Sequence, residues 1–207
     1  MPRQPQAAWA GKRNHALRLA SHNLGGPPNA SGLEYHLKAA CAEWVDHDWS
    51  IICIQEARCS DASIERLVAA VNAAAMARAT QHHKQHLGYD YVFSACASNQ
   101  HSAGTLILWQ RKLVAAGSLD VDTHAHQHHA NGRFVTATFK WAGHTLHVGN
   151  VYCPTESVAR QQFISQILGP SWACQPDNNI FIGDWNYVDD PIVDRLCISA
   201  SGVPSTA

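Results

Sequence analysis

No Cys-x-x-Cys pair occurs among the seven cysteines of this 207-residue chain, and their number is odd. That spacing excludes a zinc site and a secreted disulfide framework, so a reducing, intracellular setting is expected, nuclear or cytoplasmic. No apolar stretch approaches the roughly 20 residues that a bilayer crossing needs. The polar start, with Arg3, Lys12 and Arg13, also lacks the apolar region of a secretory signal. No membrane partner is expected. Excess charge is missing too: 15 Lys and Arg oppose 16 Asp and Glu, a formal net charge of −1. Tight nonspecific nucleic-acid binders show a basic patch, so any nucleic-acid contact here is expected to be weak. A bound divalent cation would offset part of that deficit. Internal repeats are absent. What is present is 46% hydrophobic residues over a length that suits one domain with a sizeable core.

Short apolar runs that discharge polar residues at their ends carry the information. Ile180-Phe181-Ile182 runs into Gly183-Asp184-Trp185-Asn186, and Ile51-Ile52-Cys53-Ile54 runs into Gln55-Glu56. Leu17-Arg18-Leu19-Ala20-Ser21-His22-Asn23 precedes Leu24-Gly25-Gly26, and Leu146 to Tyr152 precedes Cys153-Pro154. Each reads as a buried strand. Taken alone, Asp184 and Asn186 also suit a solvated strand-ending turn. Four strands ending in Asn, Glu, Tyr and an Asp/Asn couple are harder to explain by packing, because buried polar groups cost stability unless paired. A shared catalytic mouth explains all four.

The remaining pattern supplies a coarse layout. Residues 1–14 read as a flexible tail, 15–200 as the domain, incomplete at its carboxyl end, and 201–207 as a second tail. Ser31 with Glu34 makes a capping box ahead of a helix bearing Leu33, Leu37, Cys41, Trp44 and Val45 on one stripe. A second helix is expected from Ser60 or Asp61. Strands are expected at 89–93, 104–109, 113–121, 133–141 and 144–151, the last two joined at Ala142-Gly143. A helix follows from Glu156, with Gly169-Pro170 as its stop. The polar stretch His124 to His129 reads as a solvated loop, with adventitious metal binding as the alternative, and His82, His83 and His86 read the same way. Two sheets packed face to face under outer helices fit this order.

In chemical terms Glu56 is the natural ligand for Mg²⁺ or Mn²⁺, which take oxygen donors and keep several waters; a solvated carboxylate is the alternative. Asn23 offers an amide oxygen to the metal or a contact to phosphate, or is a plain turn residue. Asp184 would orient or deprotonate an attacking water, and Asn186 would donate to the phosphate as charge builds. Tyr152 shares strand parity with Asn150, and its hydroxyl could reach the same phosphate or simply be a rim aromatic. Arg133, after Gly132, steers a phosphate or begins a strand, and Asn150 is taken with it as substrate-binding. Gln55 is expected to brace Glu56 from behind, and His22, on the opposite face from Asn23, to pack.

The ordered set Ser21-His22-Asn23-Leu24-Gly25, Gln55-Glu56, Ser102-Ala103-Gly104-Thr105, Gly132-Arg133, Asn150-Val151-Tyr152-Cys153-Pro154 and Gly183-Asp184-Trp185-Asn186 resembles the endonuclease/exonuclease/phosphatase superfamily over about residues 16–200. It looks closest to the apurinic-type endonucleases of non-LTR retroelements, through the stretch Asp189 to Arg195. The resemblance implies an α/β fold, a four-layer α/β/β/α sandwich with two mixed, largely antiparallel sheets, here with the last strands missing. It implies phosphodiester hydrolysis with Mg²⁺ or Mn²⁺, on DNA rather than RNA, and makes Asn23 and Glu56 the metal-binding positions and Tyr152 a phosphate contact. It also requires a catalytic His in a Ser-Asp-His-like motif near the carboxyl end. No His follows His147, and Thr155 replaces an Asn found in many relatives. Activity is therefore in question. The other readings are a non-catalytic remnant of a retroelement endonuclease, and a phosphatase or RNA-trimming member of the same superfamily.

Overall fold

The computed structural model describes residues 16–25, 30–96, 103–128, 131–173, 178–186, 197–198 and 204–205. The segment 1–14, Ser102, His129, the Asp189–Arg195 stretch and the side chains of Ser31, Leu33, Glu34 and Leu37 lie outside what is described.

Two four-stranded mixed sheets make up the centre. The first contains β1 (Leu19–Asn23), β2 (Ile51–Gln55), β3 (Tyr89–Ser94) and β4 (Thr105–Gln110) in the order β1-β2-β4-β3. Helices α1 (Ala30–Asp46) and α2 (Asp61–Gln81) cover its outer face. The second contains β5 (Leu119–His128), β6 (Phe134–Trp141), β7 (His144–Tyr152) and β8 (Asn179–Asp184) in the order β5-β6-β7-β8. A helical segment packs on its outside: α4 (Ser157–Phe163), a π-turn (Ile164–Leu168) and α5 (Gly169–Ala173). A short α3 (Arg111–Ala115) joins the sheets, and β9 (Cys197–Ile198) pairs with β10 (Pro204–Ser205).

Strand parity assigns each apolar side chain to a layer. All five residues of β2 are buried, because both of its faces are covered. Ile51 and Cys53 meet Val135, Ala137, Phe139 and Val148 between the sheets. Ile52 and Ile54 meet Trp44, Val68 and Val71 of the helices. Each fully buried side chain of this size contributes about 1.5–3 kcal/mol, so the arrangement fixes register as well as stability.

Parallel pairing then sets where the polar strand ends emerge. β1 runs parallel to β2 with Asn23 beside Gln55, and β7 runs parallel to β8 with Tyr152 beside Asp184. The carboxyl ends of these four strands meet at one rim.

Four expectations are corrected. The strand expected at 113–121 begins at Leu119, after α3. The described part of the His124–His129 stretch is strand β5 rather than a loop: the His126 ring stands edge-on to Trp109 at 6.0 Å, and the His128 ring nitrogen Nδ1 lies 2.7 Å from the Phe93 carbonyl. Imidazoles count as polar in the pattern but pack here as rings. His86 also departs from a solvated loop, since it packs on Tyr89 and burial lowers its pKa to about 4. Finally, the helix does not stop at Gly169-Pro170. Gly169 keeps right-handed helical angles and donates to Ile164 O, so the chain passes through a π-turn before Pro170, whose missing N–H falls where the ladder is already irregular.

Candidate functional site

Asn23, Glu56, Tyr152 and Asp184 converge at the rim from four separate segments. The Gly25 N–H donates to Asn23 Oδ1 at 2.8 Å, a tight turn that fixes the amide plane. Asn23 Nδ2 is left pointing between two carboxylates, at 3.2 Å from Glu56 Oε1 and 2.7 Å from Asp184 Oδ2. The Tyr152 hydroxyl donates to the same Glu56 oxygen at 3.0 Å. Glu56 Oε2 accepts from Arg58 Nη2 at 2.7 Å. Burial alone would raise the Glu56 pKa. The donors Arg58, Tyr152 and Asn23 outweigh it and hold the carboxyl below the ordinary glutamate value. Burial, then the Glu56 charge, pushes the Tyr152 phenol up to about 12, so it stays protonated and donating at neutral pH.

The backbone that presents these groups is unusual. Glu56 has φ 54° and Arg58 φ 46°, left-handed angles that non-glycine residues rarely adopt. Two bonds hold the loop: Ala57 N–H to Gly104 O and Arg58 N–H to Ala103 O, each 3.0 Å. At β8, a Cβ on Gly183 would lie 1.9 Å from Val151 O, so only glycine allows β8 to run this close to β7. Asp184 is then fixed from both sides, by Asn23 and by the Asn186 N–H to Oδ1 at 2.9 Å.

Asn186 differs from the expectation of a phosphate donor. Its side-chain Nδ2 donates to Cys153 O at 2.7 Å, and its carbonyl accepts from Arg160 Nη1 at 2.7 Å. Its backbone, not its amide, serves the site.

Two further expectations are corrected. Asn150 was expected at the substrate, but it is fully buried, at 0% exposure. Its amide donates to Ile54 O at 2.7 Å and Leu106 O at 2.9 Å and accepts from Gln55 Nε2 at 2.6 Å. It ties one sheet to the other directly behind the rim. Gln55 does not brace the Glu56 carboxylate: its side chain turns inward to Asn150, Ser21 Oγ and Cys53 O. Strand parity explains both, since Gln55 and Asn150 follow the inward positions Cys53 and Val148. Arg133 does lie at the rim, with its guanidinium 4.9 Å above the Tyr152 ring and Nη1 3.3 Å from Tyr152 O. His22 packs edge-on to Trp44 at 5.8 Å, as parity requires.

Two residues were missed. Arg58 stands in a loop as an isolated arginine with no pattern around it. Arg160 looks like an ordinary helix-surface charge, yet Nη1 joins Thr155 O at 3.0 Å and Asn186 O at 2.7 Å, locking the loops after β7 and β8 together.

The donor set suits a hard divalent cation. Among the described residues no group of three His, Cys, Asp or Glu side chains converges as metal ligands. Two carboxylates do converge, with the Asn23 Nδ2 between them and its Oδ1 turned to Gly25 N–H, and Mg²⁺ is ordinarily held by one or two carboxylates with water completing its shell.

Comparison with known proteins bears on the whole chain. The family model described as the Endonuclease/Exonuclease/phosphatase family matches residues 20–203. No curated protein matches significantly. Among solved structures, D. rerio TDP2 complexed with single strand DNA product is similar at a TM-score of 0.55 and 16% identity, covering 86% of this chain and 64% of that one. The endonuclease domain of TRAS1, a telomere-specific non-LTR retrotransposon, gives 0.51 and 15%, covering 84% and 61%. An endonuclease/exonuclease/phosphatase family protein from Bacteroides thetaiotaomicron gives 0.57 and 15%, covering 82% and 63%. The chain therefore spans less than two thirds of each of these structures, and at such identities the likeness is one of fold.

Proposed function

The chain belongs to the Endonuclease/Exonuclease/phosphatase family, and from that premise we propose that its rim hydrolyses phosphodiester bonds in nucleic acid with a divalent cation, Mg²⁺ or Mn²⁺. The observation that carries the reading is the Asn23 amide held between Glu56 and Asp184 while Tyr152 donates to Glu56. Residues 161 positions apart in sequence converge there, with carboxylates at strand ends where packing alone would place apolar side chains.

Glu56 would hold the cation, joined by Asn23 through Oδ1, the oxygen that accepts from Gly25 N–H, since Nδ2 is a donor; the cation would supply charge neutralisation at the phosphate and a more acidic bound water. Asp184 orients the attacking water and accepts its proton. The Asn186 N–H keeps that carboxylate aimed, so Asn186 acts in this chain as a positioning residue. Tyr152 keeps its proton at neutral pH and, on turning its one O–H from Glu56, offers it to a phosphate oxygen, and Arg133, stacked on Tyr152, adds positive charge. DNA is the favoured substrate on the likeness to the retrotransposon endonuclease domain and to TDP2 with its single-strand DNA product. A net charge of −1 makes the grip weak and dependent on the cation.

The alternative to be distinguished is a non-catalytic remnant that holds the cation without cleaving. The test is cleavage of supercoiled plasmid, abasic duplex, single-stranded DNA, RNA and a phosphomonoester in Mg²⁺. Cleavage of a DNA substrate that is lost in Glu56→Gln and Asp184→Asn supports the endonuclease reading. Cation binding at Glu56 with no cleavage of any substrate supports the remnant, and phosphomonoester or RNA turnover alone assigns a different branch of the family.

A further inference from the structure

The carboxylate that a cation would need already carries a cation. Arg58 Nη2 sits 2.7 Å from Glu56 Oε2, and the Glu56 side chain is only 13% exposed against 38% for Arg58. The other oxygen, Oε1, accepts from Tyr152 and Asn23. Both oxygens of Glu56 are thus taken by donors, and one of those donors is a full positive charge that cannot be removed by deprotonation.

The local backbone makes this contact more than a surface encounter. Glu56 and Arg58 are both left-handed non-glycine residues, each costing on the order of 1–2 kcal/mol. The bonds from Ala57 to Gly104 O and from Arg58 to Ala103 O hold the loop in that shape, and the shape turns the guanidinium back onto the carboxylate two residues earlier.

We propose that Arg58 is a built-in counter-cation that competes with the divalent metal for Glu56, so that metal loading requires the guanidinium to leave Oε2. The inference rests on the cation reading above and adds the residue that sets the affinity. Of the donors on Glu56, Arg58 is the one whose charge repels a dication, and it is the more exposed partner of its pair. Its side chain lowers the resting affinity and keeps the carboxylate ordered when no metal is present.

The experiment is isothermal titration of the full chain with Mg²⁺ and, separately, Mn²⁺, on wild type, Arg58→Asn, Arg58→Gln and Glu56→Gln. Asn tolerates the left-handed backbone, so Arg58→Asn removes the charge while preserving the loop. Both Arg58 variants are expected to bind about three- to tenfold tighter than wild type, the size of one net hydrogen bond at a partly exposed site. Glu56→Gln should abolish the heat. Thermal melts of the same samples establish that each variant is folded. Wild-type binding that needs Glu56 but is unchanged or weakened in both Arg58 variants overturns the inference and leaves the cation reading standing. No Glu56-dependent binding in any folded protein defeats both.

Discussion

Asn150 offers the sharpest test of how the rim is held, because its substitution separates a structural role from a substrate contact. Its amide satisfies the Ile54 and Leu106 carbonyls and the Gln55 side chain, all in fully enclosed surroundings. In Asn150→Leu the volume is nearly kept, but two carbonyl oxygens lose this donor and Gln55 Nε2 loses an acceptor. Each orphaned buried group costs about 1–3 kcal/mol. Partial rescue by the strand bonds and by Gln55 Nε2 to Cys53 O brings the expected total to about 3–5 kcal/mol. For a chain of this length that is a fall in melting temperature of about 6–20 °C. Urea denaturation followed by tryptophan fluorescence measures it, since Trp44 and Trp109 are buried in two different core layers. A loss below about 1 kcal/mol together with a selective loss of DNA binding would show that Asn150 faces substrate, and the description of the rim's inner wall would be wrong.

Three further outcomes follow from the same geometry. Gly183→Ala should cost more than about 4 kcal/mol, because its Cβ meets Val151 O at 1.9 Å and the clash is with backbone; soluble yield and melting temperature check this. Tyr152→Phe removes a donor from Glu56, so the Glu56 pKa should rise toward its ordinary value, read from the side-chain carboxyl ¹³C shift, and an unchanged pKa would contradict the 3.0 Å bond. The Glu56 carboxyl is depressed in the folded state, so its stabilising contribution is complete above the unfolded value and fades as pH falls through the folded one. Wild type should therefore lose more stability than Glu56→Gln on acidification below about pH 4.5, and parallel melts of the two proteins measure the gap.

Much of this was legible because strand parity and strand ends obey simple geometry. Ile51 to Ile54 reads as a buried strand, and the carboxylate just past such a run, Glu56, emerges at its end. The convergence of Glu56 with Asp184 needed more, since only parallel pairing of β1 with β2 and of β7 with β8 puts those ends on one side. The same parity, followed one step further, would have placed Gln55 and Asn150 inside. Both side chains lie between the sheets, where their amides pair with each other. Arg58 was invisible for a different reason: its position depends on two left-handed residues whose conformation no short pattern announces. Arg160 gave only a helix-surface signal, although its work is to hold carbonyls of two loops. The imidazoles of β5 hid a strand because His scores as polar whether it is solvated or packed on Trp109. Gly169-Pro170 failed as a stop because glycine permits a left-handed cap without requiring one.

The central claim is that Asn23, Glu56, Tyr152 and Asp184 form one cation site facing phosphate. Paramagnetic broadening by substoichiometric Mn²⁺ in the protein's NMR spectrum tests it most directly. The Asn23 side-chain amide and the backbone amides around Glu56 and Asp184 should broaden first, and Glu56→Gln should abolish the effect. Amides of Leu17, Trp141 and Leu146, which line an apolar cleft at the far ends of the strands, should stay sharp. Broadening centred elsewhere, or unchanged in Glu56→Gln, would contradict the account.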